Sequence, residues 1–305
     1  MRDRTVAAMF LLLGLLWGSS FVTIDVGLEF FPPVLFAALR YYVAGLVVLG
    51  FAVWTTDRWR PRTRADWTVA VLVGALMIAG HHALLYIGQQ YVSGPVAAVV
   101  ISLSPLLTAV FSVFLLDERL TGLGVVGFAL GLLGVSLVAQ PNPDKILSAN
   151  VRGIAIVFVA AAVFALGSVL TRPLESNLPA RSVQAWGMLV GAPILHFASL
   201  ARGETFAAIQ WTPTATASLV YLALVCGAGA FLIYFELLDL LGPTEINLIG
   251  YLEPVAATLL SWVLLGQLVD PLTAAGFVVI FSGFACIKRR ALADLVSGVR
   301  AELAS

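Results

Sequence analysis

The sequence predicts an all-α integral membrane protein of ten transmembrane helices, arranged as two inverted five-helix repeats. Three observations lead there. Sixty per cent of the 305 residues are hydrophobic and only 11% are charged, with a mean hydropathy of +1.00, too few charges to clothe a soluble domain. Gly, Pro and charge clusters divide the chain into ten apolar segments. Each has roughly the 20 residues that match a hydrocarbon core about 30 Å thick. Finally, two stretches far apart are written alike: "SLSPLLTAVFSVFLL" at 102–116 and "YLEPVAATLLSWVLL" at 251–265, each with a proline inside an apolar run.

The segments fall near 6–26, 33–54, 67–89, 94–116, 122–140, 151–171, 183–201, 213–235, 243–265 and 271–288. The first comes after Arg2 and Arg4, as a signal peptide would. It runs into "IDVGLEFFPP" without a small-x-small cleavage pattern, so it is taken as a span. With the N-terminus in the cytoplasm, Arg2, Arg4, Arg58, Arg60, Arg62, Arg64, Arg119, Arg172 and Arg181 lie inside, with Lys288, Arg289, Arg290 and Arg300. Only Lys145, Arg152 and Arg202 fall outside, and Arg40 lies within a span. This asymmetry is that of ten spans with both termini cytoplasmic, and it predicts a multi-pass protein of the cell (inner) membrane. Cys226 and Cys286 both sit inside predicted helices, which leaves no disulfide scaffold and no Cys-based metal site.

The halves align from Tyr86 with Tyr234, through Gly94-Pro95 with Gly242-Pro243, to Pro105 with Pro254 after one inserted residue. "LWGSSFV" in span 1 has a weaker echo in "FALGSVL" of span 6. Five spans per copy is an odd number, so the second copy is upside down relative to the first. The repeats are placed at 1–145 and 146–290, with a short cytoplasmic tail at 291–305. A proline removes one backbone hydrogen bond and presses on the carbonyl four residues earlier, here Ile101 and Gly250. Recurrence at matching positions of an inverted copy makes Pro105 and Pro254 candidate hinges, against the alternative that they only shape packing.

These features, with "AALRYYVAGLVV" in span 2 and "GP…SLSPLLTAVFSVFLLDERLT" closing the first half, resemble the drug/metabolite transporter superfamily. Within it the chain is similar to the EamA-type ten-helix permeases. That resemblance implies an alternating-access exporter with its cavity between the halves, and members with this plain pattern include exporters of aromatic amino acids. One departure is visible: Gly266-Gln267 stands where the family has Gly-Glu after span 9, while Glu118 keeps the matching place after span 4.

Helical spacing supplies candidates for the solute path. Asn247, Tyr251, Pro254, Thr258 and Ser261 form one polar stripe along span 9. His82, Tyr86 and Gln89 share a face of span 3 with Ala75 and Ala79. Ser104, Thr108 and Ser112 flank Pro105; Trp17 and Ser20 in span 1 and Phe164 and Ser168 in span 6 add to them, and Tyr234 pairs with Tyr86 by repeat. Lipid offers these groups no hydrogen bonds, so they are expected to face protein or a water-filled cavity. Ordinary helix contact is the alternative for each hydroxyl.

His82 reads equally as a packing histidine or as a substrate or proton ligand. Glu253, off the polar stripe, reads as a contact to a neighbouring helix or a proton or substrate site. Arg40 costs about 2.5–3.5 kcal/mol at mid-span and is expected to pair with a carboxylate or with carbonyl ends as an anchor. Gly127 and Gly131 of "GFALG" read as packing within the chain, with a dimer face as the alternative.

No H-E-x-x-H, G-x-S-x-G or P-loop pattern occurs, so neither an intramembrane enzyme nor an ATP-driven pump is expected. A channel lacks its filter sequences. Arg40 as the one cation within the spans argues against phosphorylated solutes, and Asp25 and Glu29 near the outer end of span 1 differ from the deep glutamate of four-helix drug exporters. The expectation is an exporter of small neutral or zwitterionic solutes, amino acids of broad range including aromatic ones. Export of another small metabolite or drug is the alternative. The expected partners are that solute and the lipid bilayer, with no nucleic acid, no cofactor, no metal and a monomeric state.

Overall fold

The computed structural model describes residues 2–118, 122–139, 149–242, 246, 248–283 and 285. Asn247, Arg119, Lys145, the basic residues from Lys288 onward and the tail 291–305 lie outside them. Ten helices succeed one another: α1 Arg2–Leu28, α2 Pro33–Thr55, α3 Arg64–Gly88, α4 Gly94–Leu116 and α5 Gly122–Ala139 in the first half, then α6 Ala149–Leu170, α7 Ala180–Ala201, α8 Pro213–Leu241, α9 Ile249–Leu265 and α10 Pro271–Gly283. Eight are long and apolar enough to cross a membrane, and α9 and α10 are shorter apolar helices. No strand occurs among the described residues.

Side chains on the outer faces are large and apolar, as lipid requires: Trp54, Phe114, Phe197 and Val263 are each more than 70% exposed. Inside, packing repeats with the sequence. The contact of α1 with α9 has its counterpart in that of α6 with α4; α3 packs on α7 as α8 packs on α2; α2 and α7 pack on each other. Both α3 and α8 carry a π-helical stretch, Val73–Gly80 in one and Tyr221–Gly229 in the other. The ends of α4 and α9 also correspond. Asp117 (φ 54°) and Gly266 (φ 66°) take the left-handed conformation, and the next amides, of Glu118 and Gln267, donate to Ser112 O and Ser261 O.

The two proline helices solve their bends differently. In α4 the helix breaks at Ser102–Leu103, and Pro105 sits in the first turn of the next helical stretch, Ser104–Leu116, where it needs no amide. Ser104 Oγ donates to Ile101 O (2.7 Å), the carbonyl that Pro105 leaves without its amide partner. Pro254, by contrast, lies buried inside the continuous helix α9, whose described part begins after a turn at Leu248.

Helices α5 and α10 pack on each other at the edge of the bundle. A Cβ on Gly134 would meet Gly276 O, and one on Gly283 would meet Gly127 O, while Gly131 faces Leu103 and Leu106 of α4. These glycines serve contacts within the chain. Asp25, at the end of α1, accepts from the Gly94 amide that opens α4 (2.5 Å) and from Gln89 Nε2 (2.7 Å), which also donates to Phe21 O. A carboxylate at a helix N-terminus meets amides with no intrahelical acceptor. It ties α1, α3 and α4 together at one end of the bundle.

At the opposite end a second carboxylate does the same work. Asp66 is fully buried and accepts from the Arg62 and Thr63 amides, Arg58 Nη2 and Ser176 Oγ, which joins the α2–α3 loop to the α6–α7 loop. With Thr63 it forms a capping box that starts α3.

Candidate solute-binding cavity

A cavity of about 280 Å³ lies at the centre of the bundle. Helices α1 to α4 of the first half line it, and so do their repeat partners α6 to α9 of the second; α5 and α10 do not. Six aromatic rings, of Trp17, Phe21, Tyr41, Phe164, Phe231 and Tyr234, stand in its wall. Trp17 of α1 meets Phe231 (5.3 Å between ring centroids) and Tyr234 (5.5 Å) of α8, and Phe164 of α6 packs against His81 (5.2 Å). Polar groups come from Ser20, Ser102, Ser104 and Gln184, and charged ones from Arg40 and Glu253. The lining runs from Ile24 and Leu85, below the Asp25 bonds, to Gln184 in the second turn of α7 and Ile249 at the start of α9.

Of the residues singled out by sequence, Trp17, Ser20, His82, Ser104, Pro105, Phe164, Tyr234 and Glu253 line this cavity. Tyr86, Ser168, Tyr251 and Pro254 do not, and Asn247 lies outside the described residues. Tyr86 is fully buried and accepts from Arg40 Nη1 at 3.1 Å. Ser168 donates to Ala165 O and meets Thr108 Oγ1 at 3.3 Å, joining α6 to α4. Tyr251 packs on Phe281 of α10. Thus the polar stripe of α9 turns toward protein, and the adjacent face with Gly250 and Glu253 meets the cavity.

Helix α3 keeps His82 on the cavity but not Tyr86 or Gln89, and its π-helical stretch shifts the phase of the residues before His82. A π-helical turn holds more residues than an α-turn, so the helix beyond it is rotated by about 100° for each residue added. The cavity face consists of Met77 and Ile78 within Val73–Gly80 and of His81, His82 and Leu85 beyond it, while Gln89 turns to Asp25. His82 is held at both nitrogens. Its Nδ1 faces Ile78 O (3.0 Å), an acceptor, and therefore carries the proton; Nε2 then accepts from Tyr41 Oη. His81 Nδ1 donates likewise to Ala160 O (3.0 Å).

Arg40 differs most from expectation. It is 5% exposed in the wall of the cavity, and no carboxylate among the described residues comes within 4 Å of it. Tyr86 Oη accepts its one hydrogen bond among the described residues, the ring of Tyr41 lies 4.9 Å from its Cζ, and its Nε is buried without an acceptor. The signal was present in the sequence, a charge at mid-span, but its surroundings were not. Tyr41, Gln184 and Phe231 were also missed, since none stands out by composition in an aromatic-rich membrane helix, and His81, which helical phase turns about 100° away from His82, lines the cavity beside it.

Ten apolar helices in two like-built, inverted halves, with a solute-sized central cavity lined by both, define a multi-span membrane transporter. The sequence profile of the EamA-like transporter family matches the chain twice, over residues 4–140 and 151–289, and the chain belongs to that family. The uncharacterized inner membrane transporter YedA of Escherichia coli (strain K12) is 30% identical over 277 residues, covering 88% of this chain and 86% of its own. A probable terminal-alkyne amino-acid exporter of Streptantibioticus cattleyicolor is 28% identical over 276 residues, covering 90% and 91%. One solved crystal structure superposes with a TM-score of 0.66 at 22% identity, over 94% of this chain and 98% of that one, a likeness of fold.

Proposed function

We propose that the protein exports small zwitterionic solutes by alternating access, amino acids of broad range including aromatic ones. The observation that carries this reading is the central cavity, shared by four helices of each half and walled by Trp17, Phe164, Phe231 and Tyr234. About 280 Å³ lies just below the roughly 300–1,000 Å³ of drug-sized ligand pockets and suits a single amino acid better than a bulky drug. The amino-acid exporter among the relatives points the same way.

Charge placement supports an inner-membrane protein with both termini in the cytoplasm. In that orientation the end of the cavity near Gln184 and Ile249 is cytoplasmic, the side from which an exporter loads. The Asp25–Gln89–Gly94 bonds then seal the outer side. Of the two groups considered for proton coupling, His82 has both nitrogens engaged. That leaves Glu253, in the cavity wall and without a polar partner among the described residues.

The test is uptake of radiolabelled phenylalanine into proteoliposomes, with other amino acids, sugars and cationic dyes as competitors. Saturable uptake reduced by several amino acids supports the reading. Uptake reduced by cationic dyes and indifferent to amino acids overturns it in favour of drug export.

A further inference from the structure

Among its lining residues the cavity has one arginine and one glutamate, and no described residue forms an ion pair with either. Arg40 has five N–H donors, of which one finds an acceptor among the described residues, Tyr86 Oη. Its Nε is shut off from solvent without one, and the ion pairs of the described residues all lie elsewhere. Glu253, on α9, has no hydrogen bond or ion pair among them, although Gly250 one turn before it leaves open space. Charges left this way in a low-dielectric site cost several kcal/mol unless paired. An anchoring arginine would show its donors spent on carbonyls or a carboxylate; Arg40 lines the cavity with a single acceptor, Tyr86 Oη, among the described residues. Planar guanidinium matches a carboxylate with two parallel hydrogen bonds.

We propose that Arg40 binds the carboxylate of the transported solute and Glu253 its ammonium group, so that the cavity selects molecules carrying both. This rests on the amino-acid reading and sharpens it. A zwitterion offers a carboxylate to Arg40 and an ammonium to Glu253 when it enters. A simple amine adds a second cation beside an unpaired Arg40, and a simple acid leaves Glu253 unpaired. The ring of Trp17, Phe231 and Tyr234 is left to hold the side chain, which a broad range of apolar groups satisfies.

Binding to the purified full-length protein, followed by thermal shift and by displacement of radiolabelled phenylalanine, tests this with three probes of one shape: phenylalanine, phenethylamine (no carboxylate) and 3-phenylpropionate (no ammonium). Wild type is expected to bind phenylalanine at least about tenfold more tightly than either other probe, the factor that charge-assisted hydrogen bonds supply. Arg40→Gln is expected to weaken phenylalanine and 3-phenylpropionate by about tenfold or more and to bind phenethylamine at least as tightly as wild type does; Arg40→Lys restores part of the loss. Glu253→Gln weakens phenylalanine and phenethylamine and spares 3-phenylpropionate.

Unaltered phenylalanine binding in Arg40→Gln overturns the assignment while leaving amino-acid export standing. Arg40-dependent binding of 3-phenylpropionate by a wild type that ignores phenylalanine keeps the carboxylate site and removes the amino-acid reading. Should Arg40→Gln not fold, the wild-type series decides alone: equal affinity for phenylalanine and phenethylamine overturns the proposal. A wild type that binds none of the three overturns both.

Discussion

Replacing Gly18 by alanine probes the seam on which the two halves meet. Gly18 of α1 lies against α9, and a Cβ there would stand 2.5 Å from Ala256 Cβ, 2.7 Å from Glu253 O and 3.0 Å from Ala257 N. Carbon atoms in contact sit about 3.5–4.0 Å apart, so the helices must part by about 1 Å to admit one methyl group. Overpacking of this kind costs about 1–3 kcal/mol, and two of the three obstacles are backbone atoms that cannot rotate aside, so we expect about 2–3 kcal/mol. That is a loss of roughly 30- to 150-fold in the folded-to-unfolded ratio.

The assay is unfolding of the purified protein by SDS in mixed micelles, followed by tryptophan fluorescence. Gly50→Ala serves as control, because nothing lies within 4 Å of a Cβ at Gly50; its stability should stay within about 0.5 kcal/mol of wild type. Gly18→Ala should also reduce transport, since Glu253 moves with the α9 backbone. Equal stability of Gly18→Ala and Gly50→Ala would refute the close α1–α9 contact and the inference built on it.

Other consequences are as direct. Asp25→Ala strands the Gly94 amide and one of the two Gln89 Nε2 N–H bonds, the other still donating to Phe21 O, and should cost about 2–4 kcal/mol in the same titration, at 1–3 kcal/mol for each stranded donor; a double-mutant cycle with Gln89→Ala should show positive coupling, and additive losses would contradict the shared bond. His82→Gln should lower stability by about 1–2 kcal/mol through loss of the Tyr41 bond and leave the pH profile of transport unchanged. Disappearance of a pH dependence in that variant would instead make His82 the proton site. In a Cys286→Ser background, Gly250→Cys should react with a small methanethiosulfonate and be protected by phenylalanine, whereas Cys226, fully buried, should not react; labelling of Cys226 at the same rate would place the cavity elsewhere.

The helix count and the repeat were open to sequence reading because both are written in hydropathy, the strongest signal a membrane chain carries. Boundaries of α2, α4 and α5 agree with their apolar runs to within a residue, and the packing pairs match the repeat. The inward face of each helix was less legible. Phase arithmetic assumes 3.6 residues per turn throughout, and Val73–Gly80 breaks that assumption between Ala75 and His82; Tyr86 and Gln89, beyond the break, turn instead to Arg40 and Asp25. Tyr86 was placed on the path by its shared helical face with His82, and Tyr234 by its pairing with Tyr86 in the repeat, yet only Tyr234 lines the cavity, while Tyr86 holds Arg40. Equivalent positions need not share a task once one copy has a charge to support. Pairing of Arg40 was beyond reach for the same reason: a single sequence shows that a charge is buried, not what stands opposite it.

Counterflow tests the central claim most directly. Proteoliposomes loaded with unlabelled phenylalanine and diluted into a trace of the labelled amino acid should accumulate label transiently above equilibrium, with a rate that saturates as outside phenylalanine rises. A pathway open to both faces at once gives no overshoot and a rate linear in concentration, and that result would contradict a cavity that the two inverted halves expose to one side at a time.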